Sequence, residues 1–371
     1  MSKTNGKFLS KPQKAPKNPL KITAIVLSSL AALLVLAALG IGVFLWYSGS
    51  VRGSMFASRG SVSDTLPQPE TSAPEDAAET EVKAKADWID ENGNAYNYRD
   101  DVISILLMGI DYMSEEENWY GGMVSNGGNS DVLGLVILDT TTFDFSILYI
   151  PRDTMVDVVA MDPEGNYIDT VFTNISAAHS YGDGKDLSCR LSTDAVSRLL
   201  YGVPVNRYAA LDYDALYVLN ELVGGITITF DQDYTDISSS FRAGTTATLN
   251  NWYLSKFVTY RDYSDLEGAS VRGMRSMAIL KALFYQCKDK IVEDPTVALD
   301  LFNGLAGYIT TDLDLTEITY LAQNMGKMDF TSDTIIRLPG ETVLGERYAE
   351  FYPDEAQLHD FVVEKFCVPA E

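Results

Sequence analysis

Three short apolar runs near the middle of the chain predict β-strands. Residues 102–109 (VISILLMG), 132–138 (VLGLVIL) and 145–150 (FSILYI) are each too short for an ordinary helical pattern. The link DTTTFD between the second and third runs is turn-like and predicts a hairpin. Pro151 ends the third run because proline has no N–H to donate to a strand ladder. The third strand therefore ends where Arg152 begins.

Helical patterns dominate the second half of the chain, mixed with two further strands and without an internal repeat. The predicted helices cover residues 192–201, 213–223, 269–290, 295–307, 315–325 and 355–366, and the predicted strands cover residues 226–230 and 334–338. Strands and helices mixed in this way indicate a single α/β domain of about 270 residues, from residue 101 to residue 371.

An uncharged run of 26 residues, at positions 22–47, predicts a transmembrane helix, since a bilayer core needs about 20 helical residues. The tail of residues 1–21 before it holds six lysines and no acidic residue. This asymmetry predicts a cytoplasmic N-terminus, a single-pass anchor in the cell membrane and an extracellular body. A cleaved signal peptide is the alternative, but its apolar region usually runs only about 7 to 15 residues.

Residues 48–100 change in composition and predict a disordered extracellular stalk. The stretch TLPQPETSAPEDAAETEVKAKAD is rich in Pro, Ala, Glu and Thr and has almost no large apolar side chain. Such a segment cannot bury enough surface to offset the entropy lost on ordering.

The charge balance excludes nucleic acid as a partner. The formal net charge is −24, and the six lysines of the tail leave −30 on the remainder, which repels phosphate backbones. An anionic substrate would need a local basic pocket or a metal ion. Cys189, Cys287 and Cys367 are too widely spaced for a metal motif and are interpreted as small buried hydrophobes, with one long-range bridge left open. His179 and His359 are interpreted as structural.

Charged residues gather at the predicted strand ends. Asp111 follows the first strand, Asp131 opens the second, and Arg152 and Asp153 follow the third. If the first and third strands are parallel neighbours and the second pairs antiparallel with the third, Asp111, Asp131 and Arg152 converge at one sheet edge. The two carboxylates would then suit a bridging Mg²⁺ that also binds substrate phosphates. Local capping of turns is the alternative role for both aspartates.

A second basic cluster comprises Arg261, Arg272 and Arg275. The last two are three residues apart on a predicted helix, near its N-terminus. Free backbone N–H groups and arginine side chains at a helix N-terminus suit a phosphate. A solvated arginine face is the alternative.

These motifs together resemble the LytR-CpsA-Psr family of membrane-anchored cell-wall glycopolymer ligases. The resemblance covers most of residues 101–366. It rests on GID (109–111), SD (130–131), IPRDT (150–154), TNISAAHSYG (173–182), VNRYAALDYDALYVLNELVGGITI (205–228), FVTYR (257–261) and RGMRS (272–276).

The resemblance implies a central mixed β-sheet wrapped by helices, with an apolar pocket for a polyprenyl chain. It also implies transfer of a phosphate-linked glycan, such as a teichoic acid or capsule polymer, from polyprenyl pyrophosphate to peptidoglycan, with Mg²⁺ as cofactor. By the same resemblance Asp111 and Asp131 would bind the metal. The implied pyrophosphate clamp and catalytic arginines are Arg152, Arg261, Arg272 and Arg275. Asp153 would orient Arg152 or act as the base.

The chain departs from the family pattern at three places. Gly127-Gly128-Asn129 stands where the family usually has an arginine before the SD aspartate, Thr259 replaces the first arginine of the YVRxR motif, and Ser276 replaces a glutamine. Fewer guanidiniums would weaken stabilisation of transition-state charge. An active transferase therefore competes with a binding module that holds the lipid-linked glycan without turnover, and with an adhesin or receptor.

Overall fold

The computed structural model describes residues 50–56, 86–111, 118–120, 123–125 and 127–370. The chain divides into two compact units, residues 1–50 and residues 51–371, and the strands, helices and candidate site belong to the second. The transmembrane helix predicted at residues 22–47 lies outside the described residues. Within the described ranges, no helix has the length and apolar character needed to cross a bilayer.

The described part of the chain contains seventeen strands and seven longer helices, numbered in chain order. The strands are β1 (Trp88–Ile89), β2 (Ala95–Tyr98), β3 (Val102–Asp111), β4 (Asn118–Tyr120), β5 (Met123–Ser125), β6 (Asn129–Asp139), β7 (Phe145–Ile150), β8 (Met155–Met161), β9 (Tyr167–Asn174), β10 (Arg207–Asp212), β11 (Ile226–Thr229), β12 (Thr246–Leu249), β13 (Ile309–Thr311), β14 (Ile335–Arg337), β15 (Gly340–Leu344), β16 (Ala349–Pro353) and β17 (Cys367–Pro369). The helices are α1 (Asp186–Leu199), α2 (Tyr213–Leu222), α3 (Asn251–Thr259), α4 (Gly268–Glu293), α5 (Thr296–Leu305), α6 (Leu315–Asn324) and α7 (Glu355–Phe366), with short 3-10 helices at Ile175–Ser180 and Met325–Lys327.

A six-stranded mixed sheet, in the order β13-β10-β3-β6-β7-β14, forms the centre of the fold. Strand β3 is parallel to β10 and antiparallel to β6, while β7 is antiparallel to β6 and parallel to β14. The predicted α/β class and the β6–β7 hairpin are confirmed. The expected neighbouring of the first and third strands is wrong, because β6 lies between β3 and β7. The ends of β3 and β7 still converge on one edge of the sheet, because the start of β6 lies next to both of them.

The two faces of the sheet pack against different hydrophobic clusters, as the alternation along β7 illustrates. Leu148 and Ile150 join the cluster that includes buried residues of α1 and α7. Ile147 and Tyr149 face the other way, toward Met277 of α4. Because strand side chains alternate between faces, one apolar run supplies both cores. Both faces of the sheet are thus covered by helices.

The predicted stalk at residues 48–100 is wrong at its C-terminal end, where residues 86–100 belong to the folded body. Strands β1 and β2 form a small sheet with β17. The Trp88 ring stacks on that of Tyr201 at 5.1 Å between centroids, and on Tyr96 at 5.2 Å. These aromatic side chains supply the apolar area that the Pro- and Glu-rich stretch before them lacks.

Residues 51–56, also assigned to the stalk, are helical and packed. Val51 and Met55 are buried, and the Ser54 carbonyl accepts a hydrogen bond from Arg207 Nη2. Arg207 is itself buried and pairs with buried Glu317, with Nη2 at 2.7 Å from Oε1. A buried ion pair thus anchors this short helix.

Candidate functional site

Three strand ends bring charged side chains to one edge of the central sheet. Asp111 is the last residue of β3, and Arg152 follows Pro151 at the end of β7. The ladder between β3 and β6 skips from the Gly109–Val132 pair to the Ile110–Ser130 pair, which leaves Asp131 as the extra residue of a β-bulge. A bulge redirects a side chain out of the regular alternation. Asp131 is therefore free to point along the edge toward the arginines.

Asp131 lies between two guanidinium groups. Its Oδ1 accepts a short hydrogen bond from Arg152 Nη1, and its Oδ2 lies 2.9 Å from Arg272 Nη2. Asp153 completes the group, with Oδ1 at 3.4 Å from Arg152 Nε. The four side chains are only 14–22% exposed, so their charges are poorly screened by solvent.

Three arginines of the predicted clamp carry buried nitrogens that make no hydrogen bond among the described residues. These atoms are Arg152 Nε, Arg261 Nε and Arg272 Nη2. The contacts of Arg272 Nη2 with Asp131 and of Arg152 Nε with Asp153 are ion pairs that lack hydrogen-bond geometry. Buried polar groups without partners are uncommon because each costs about 1–3 kcal/mol, more for charged groups. Donors left in this state at a sheet edge suit an anionic ligand with several acceptor oxygens.

The four arginines of the predicted clamp separate into two groups in the structure. Burial lowers the pKa of the Arg152 guanidinium against the opposing charge of Asp153, and Arg272 and Arg261 are close enough to lower it further. Arg275 turns away from them. Its Nε donates to the Phe257 carbonyl at 2.6 Å and its Nη2 donates to the Tyr260 carbonyl.

Arg275 consequently holds the C-terminal end of α3, where two backbone carbonyls have no helical N–H partner. It is 5% exposed and lies near the ring of Phe257, at 5.9 Å. The structure therefore gives Arg275 a different position from the one its spacing to Arg272 predicts. Its charge still acts on Arg272 through space.

The loop from α3 to α4 sets Arg261 against the start of α4. A Cβ added at Gly268, the first residue of α4, would overlap the Asp262 carbonyl and contact Arg261 Cγ at 3.3 Å. Only glycine permits this close approach. Arg261 is thereby fixed beside the helix N-terminus, where backbone N–H groups favour anions.

The start of β6 is braced by the 3-10 helix at Ile175–Ser180. His179 Nδ1 lies 2.8 Å from the Gly127 carbonyl, and the Ser180 hydroxyl donates to the Gly128 carbonyl at 3.1 Å and to Asn129 Oδ1 at 2.8 Å. Burial lowers the pKa of His179, and its contacts with the glycine carbonyls oppose that effect. The structural role predicted for His179 is confirmed.

Gly127 and Gly128 are both in close contact with neighbouring backbone. A Cβ at Gly127 would overlap the carbonyl oxygen of His179, and one at Gly128 would overlap that of Asp111. Gly128 also has φ +69°, in the left-handed region that favours glycine. A side chain at Gly127 would have to move the 3-10 helix, and one at Gly128 would have to move the end of β3.

Burial raises the pKa of Asp153, although Arg152, Arg261 and Arg272 act in the opposite direction. Burial also raises the pKa of Tyr149 to about 12, three residues before Arg152 on β7. The Tyr149 ring lies directly over Gly273, where an added Cβ would overlap it. This contact sets the distance between β7 and the arginine-bearing part of α4, and the sequence pattern alone did not indicate it.

Asp111 and Asp131 are the residues that could hold a metal ion. Asp111 is exposed at the end of β3, and its charge acts on Arg152. Within the described ranges, no three His, Cys, Asp or Glu side chains are grouped to form a metal site. Two carboxylates nevertheless fit Mg²⁺, which commonly uses one or two carboxylates together with substrate phosphates.

The three cysteines predicted to be small hydrophobes are free, with Cys189 and Cys367 buried and Cys287 half-buried. Burial raises the pKa of Cys367 to about 11, with Asp87 adding to the effect. The sulfur of Cys189 lies 3.7 Å from Nε2 of His179, whose other ring nitrogen contacts the Gly127 carbonyl. These cysteines serve as packing residues, since a buried thiol stays protonated and unreactive.

The chain is similar in sequence to known proteins. A model of the LytR_cpsA_psr family matches residues 68–364. The polyisoprenyl-teichoic acid–peptidoglycan teichoic acid transferase TagV of Bacillus subtilis is 35% identical over 155 residues, 39% of this chain and about a third (34%) of TagV. The TagU transferase of Bacillus cereus is 24% identical over 262 residues, 70% of this chain and 76% of TagU.

Solved structures share the fold. The crystal structure of Bacillus subtilis TagV aligns with a TM-score of 0.53 and 25% identity, over 72% of this chain and 98% of that one. A structure of TagT bound to LI-WTA aligns with a TM-score of 0.52 and 20% identity, over 71% and 89% of the two chains. Because the family model matches well over half of the residues, this chain belongs to the LytR_cpsA_psr family.

Proposed function

We propose that the protein transfers a phosphate-linked glycopolymer from a polyprenyl pyrophosphate carrier to a hydroxyl of peptidoglycan, while anchored in the cell membrane by residues 22–47. The relatives TagV and TagU are teichoic acid transferases that act on peptidoglycan. The observation that carries the proposal is the set of buried nitrogens on Arg152, Arg261 and Arg272 that make no hydrogen bond within the described residues. A pyrophosphate offers the oxygens that these donors lack.

The arginines would bind and orient the pyrophosphate. Three guanidiniums that repel one another in the free protein gain a common counter-charge when the anion binds, and each can donate more than one hydrogen bond. Charge that builds up on the phosphoryl oxygens during transfer is stabilised by the same donors. Asp131 keeps two of the three guanidiniums, those of Arg152 and Arg272, in place before the substrate arrives.

In the transfer step, the oxygen of the acceptor hydroxyl bonds to the glycan-linked phosphorus. The bond from that phosphorus to the bridging oxygen breaks, and polyprenyl monophosphate leaves with the electron pair. The hydroxyl proton passes to Asp153, whose raised pKa makes it a better proton acceptor than an ordinary carboxylate. The arginines hold the phosphoryl group in line, so positioning contributes most of the rate.

Mg²⁺ would be held by Asp111 and Asp131 and would neutralise part of the pyrophosphate charge. Asp131 already faces two guanidiniums, so its carboxylate would bind the ion through the lone pairs that the arginines leave free. Asp111 is exposed and offers both oxygens. We expect metal binding to the protein alone to be weak and to strengthen when phosphates add further ligands.

A reconstitution experiment tests the proposal. The full chain, in phosphatidylcholine vesicles, is incubated with a polyprenyl pyrophosphate-linked glycan, peptidoglycan fragments and Mg²⁺, and release of polyprenyl monophosphate is followed. We expect release that EDTA and Arg272→Ala each abolish. A protein that releases nothing in the presence of every component contradicts the transfer activity.

A binding module without turnover is the second candidate. The two arginines that this chain lacks relative to the family pattern, before the SD aspartate and at Thr259, favour it. Thr259, in place of an arginine, lies at the end of α3 and donates its hydroxyl to the Ser255 carbonyl at 2.8 Å. Gly127 and Gly128 leave no room for a side chain. This candidate predicts that the lipid-linked glycan binds, with weaker binding in Arg272→Ala, while no monophosphate is released.

A further inference from the structure

Large apolar side chains are exposed beside the arginine cluster. They are Trp252, Tyr260, Tyr263, Leu266 and Val271, each between 40% and 87% exposed, and we call them the 252–271 patch. Contiguous exposed apolar surface on a soluble domain usually marks a site of interaction. The proposed transfer assigns no role to these side chains, although the Tyr263 ring lies against Arg261.

The patch lies within one stretch of chain, from the start of α3 to the residue before Arg272. Trp252 and Lys256 are exposed and four residues apart, so they lie on one face of α3, which leads to Tyr260. The loop after α3 carries Tyr263 and Leu266. Val271 precedes Arg272 on the first turns of α4.

The side chains of the patch are those found where a protein meets a bilayer. Trp and Tyr combine an apolar ring with a polar atom and concentrate at membrane interfaces. Lys256 Nζ lies 4.0 Å from the centre of the Trp252 ring, and the Arg261 guanidinium lies 5.4 Å from that of Tyr263. Cations beside interfacial rings can reach lipid phosphates while the rings contact the acyl chains.

The charges around the patch indicate which lipids it fits. Asp262 and Asp265 are exposed in the loop and accept hydrogen bonds from neighbouring backbone N–H groups, while Glu267 pairs with Arg337. The surface is therefore not basic, and attraction to anionic lipids cannot hold it. Contact with zwitterionic lipid through the rings and aliphatic side chains is the mode that remains.

We propose that the 252–271 patch docks on the phospholipid surface of the membrane and so brings Arg261 and Arg272 to the depth of lipid headgroups. The choice of a bilayer as occupant follows from the position of the patch. It is interleaved with two arginines of the pyrophosphate site, and a lipid-linked pyrophosphate lies at the membrane surface. In this respect the inference rests on the proposed function.

Photolabelling of the full chain tests the docking. The protein is reconstituted in phosphatidylcholine vesicles that contain a diazirine-bearing phosphatidylcholine, irradiated, digested and mapped by mass spectrometry. We expect lipid adducts in residues 251–271 at several times the level found around Phe172 of β9. Phe172 and Trp252 are both 57% exposed, so exposure alone predicts equal labelling.

Variants and salt concentration separate apolar docking from attraction between charges. Trp252→Ser, Tyr263→Ser and Leu266→Ser combined should remove the adducts, while Phe172→Ser should leave them unchanged, and neither set disturbs a buried side chain. Labelling should be the same at low and high salt, because exposed charge contacts are screened and apolar contacts are not. A need for anionic lipid, or loss of labelling at high salt, would overturn the inference.

The same experiment also separates the docking surface from the transfer activity. Labelling of residues 251–271 no stronger than around Phe172 would refute lipid docking. Labelling as expected, in a protein that releases no polyprenyl monophosphate, would keep the docking surface and reject the transferase.

Discussion

The clearest test of the site is a matched pair of substitutions on one helix, Arg272→Gln and Arg275→Gln. The two arginines are three residues apart on α4 and belong to the same sequence motif. Only Arg272 joins the cluster around Asp131, whereas Arg275 donates to the carbonyls of Phe257 and Tyr260. The same chemical change should therefore have opposite consequences for activity and stability.

Arg272→Gln should lower kcat for glycopolymer transfer by about 10²–10³, roughly 2.7–4 kcal/mol, if Arg272 acts like a donor in an oxyanion hole. Its effect on stability should be below about 1 kcal/mol. The reason is that Arg272 and Arg152 repel each other, while Asp131 keeps Arg152 as a partner.

Arg275→Gln should instead destabilise the fold. It removes two buried hydrogen bonds from a charged donor, each worth about 1.5–3 kcal/mol, so the loss should be about 3 kcal/mol or more. At roughly 2–4 °C per kcal/mol, Tm should fall by about 6 °C or more. The protein should remain folded at 25 °C, since domains typically have about 5–15 kcal/mol of stability.

The assay combines release of polyprenyl monophosphate per folded molecule with thermal unfolding of the same preparations. We expect activity loss with an unchanged Tm for Arg272→Gln, and a lower Tm with largely retained activity for Arg275→Gln. Equal loss of kcat in both variants, with Tm unchanged in both, would refute the separation of the two side chains.

Three further predictions concern the surroundings of the site. Gly128→Ala should lower the free energy of unfolding by at least about 1 kcal/mol more than Gly93→Ala does. Both glycines have positive φ, but only Gly128 faces a backbone oxygen, whereas Gly93 faces open space. Equal losses in the two variants would contradict the close packing at Gly128. In the wild type, kcat/KM should fall as pH decreases toward the pKa of Asp153, which burial raises above the ordinary value of about 4. Asp153→Asn should lower activity and remove this fall in kcat/KM at low pH. An unchanged pH profile in that variant would exclude Asp153 as the base. Glu317→Gln should lower stability by about 3–5 kcal/mol, measured by denaturant unfolding, because it leaves Arg207 buried with its main counter-charge removed; a loss below about 1 kcal/mol would indicate that the pair is solvated.

The central sheet was predictable because its strands are continuous apolar runs with clear stops. The runs at 102–109, 132–138 and 145–150 all became strands, and Pro151 ended the last. Other elements gave weaker signals. Strand β10 (RYAALD) joins two alanines to charged ends, and β9 is exposed along most of its length, so neither has a marked apolar pattern.

The arginine positions could be predicted only in part, because spacing gives the angle between two side chains on a helix and not what each one faces. At 100° per residue, positions three apart differ by about 60° around the axis. On α4 this angle is enough for Arg272 to face Asp131 while Arg275 faces the end of α3. Which of the two faces the strand ends depends on the packing of Gly273 against Tyr149, a contact between distant parts of the chain.

The glycine pair before Asp131 has a structural reason that the sequence does not reveal. By sequence alone, Gly127-Gly128-Asn129 indicates the loss of an arginine, but Gly128 contacts the backbone of Asp111 and Gly127 that of His179. An arginine at Gly128 would push the two aspartate-bearing strands apart, and one at Gly127 would displace the 3-10 helix from the start of β6. Within this backbone, the positive charge that the family pattern places before the SD aspartate has to come from Arg152, Arg261 and Arg272, each of which has a buried nitrogen without a hydrogen bond within the described part of the chain.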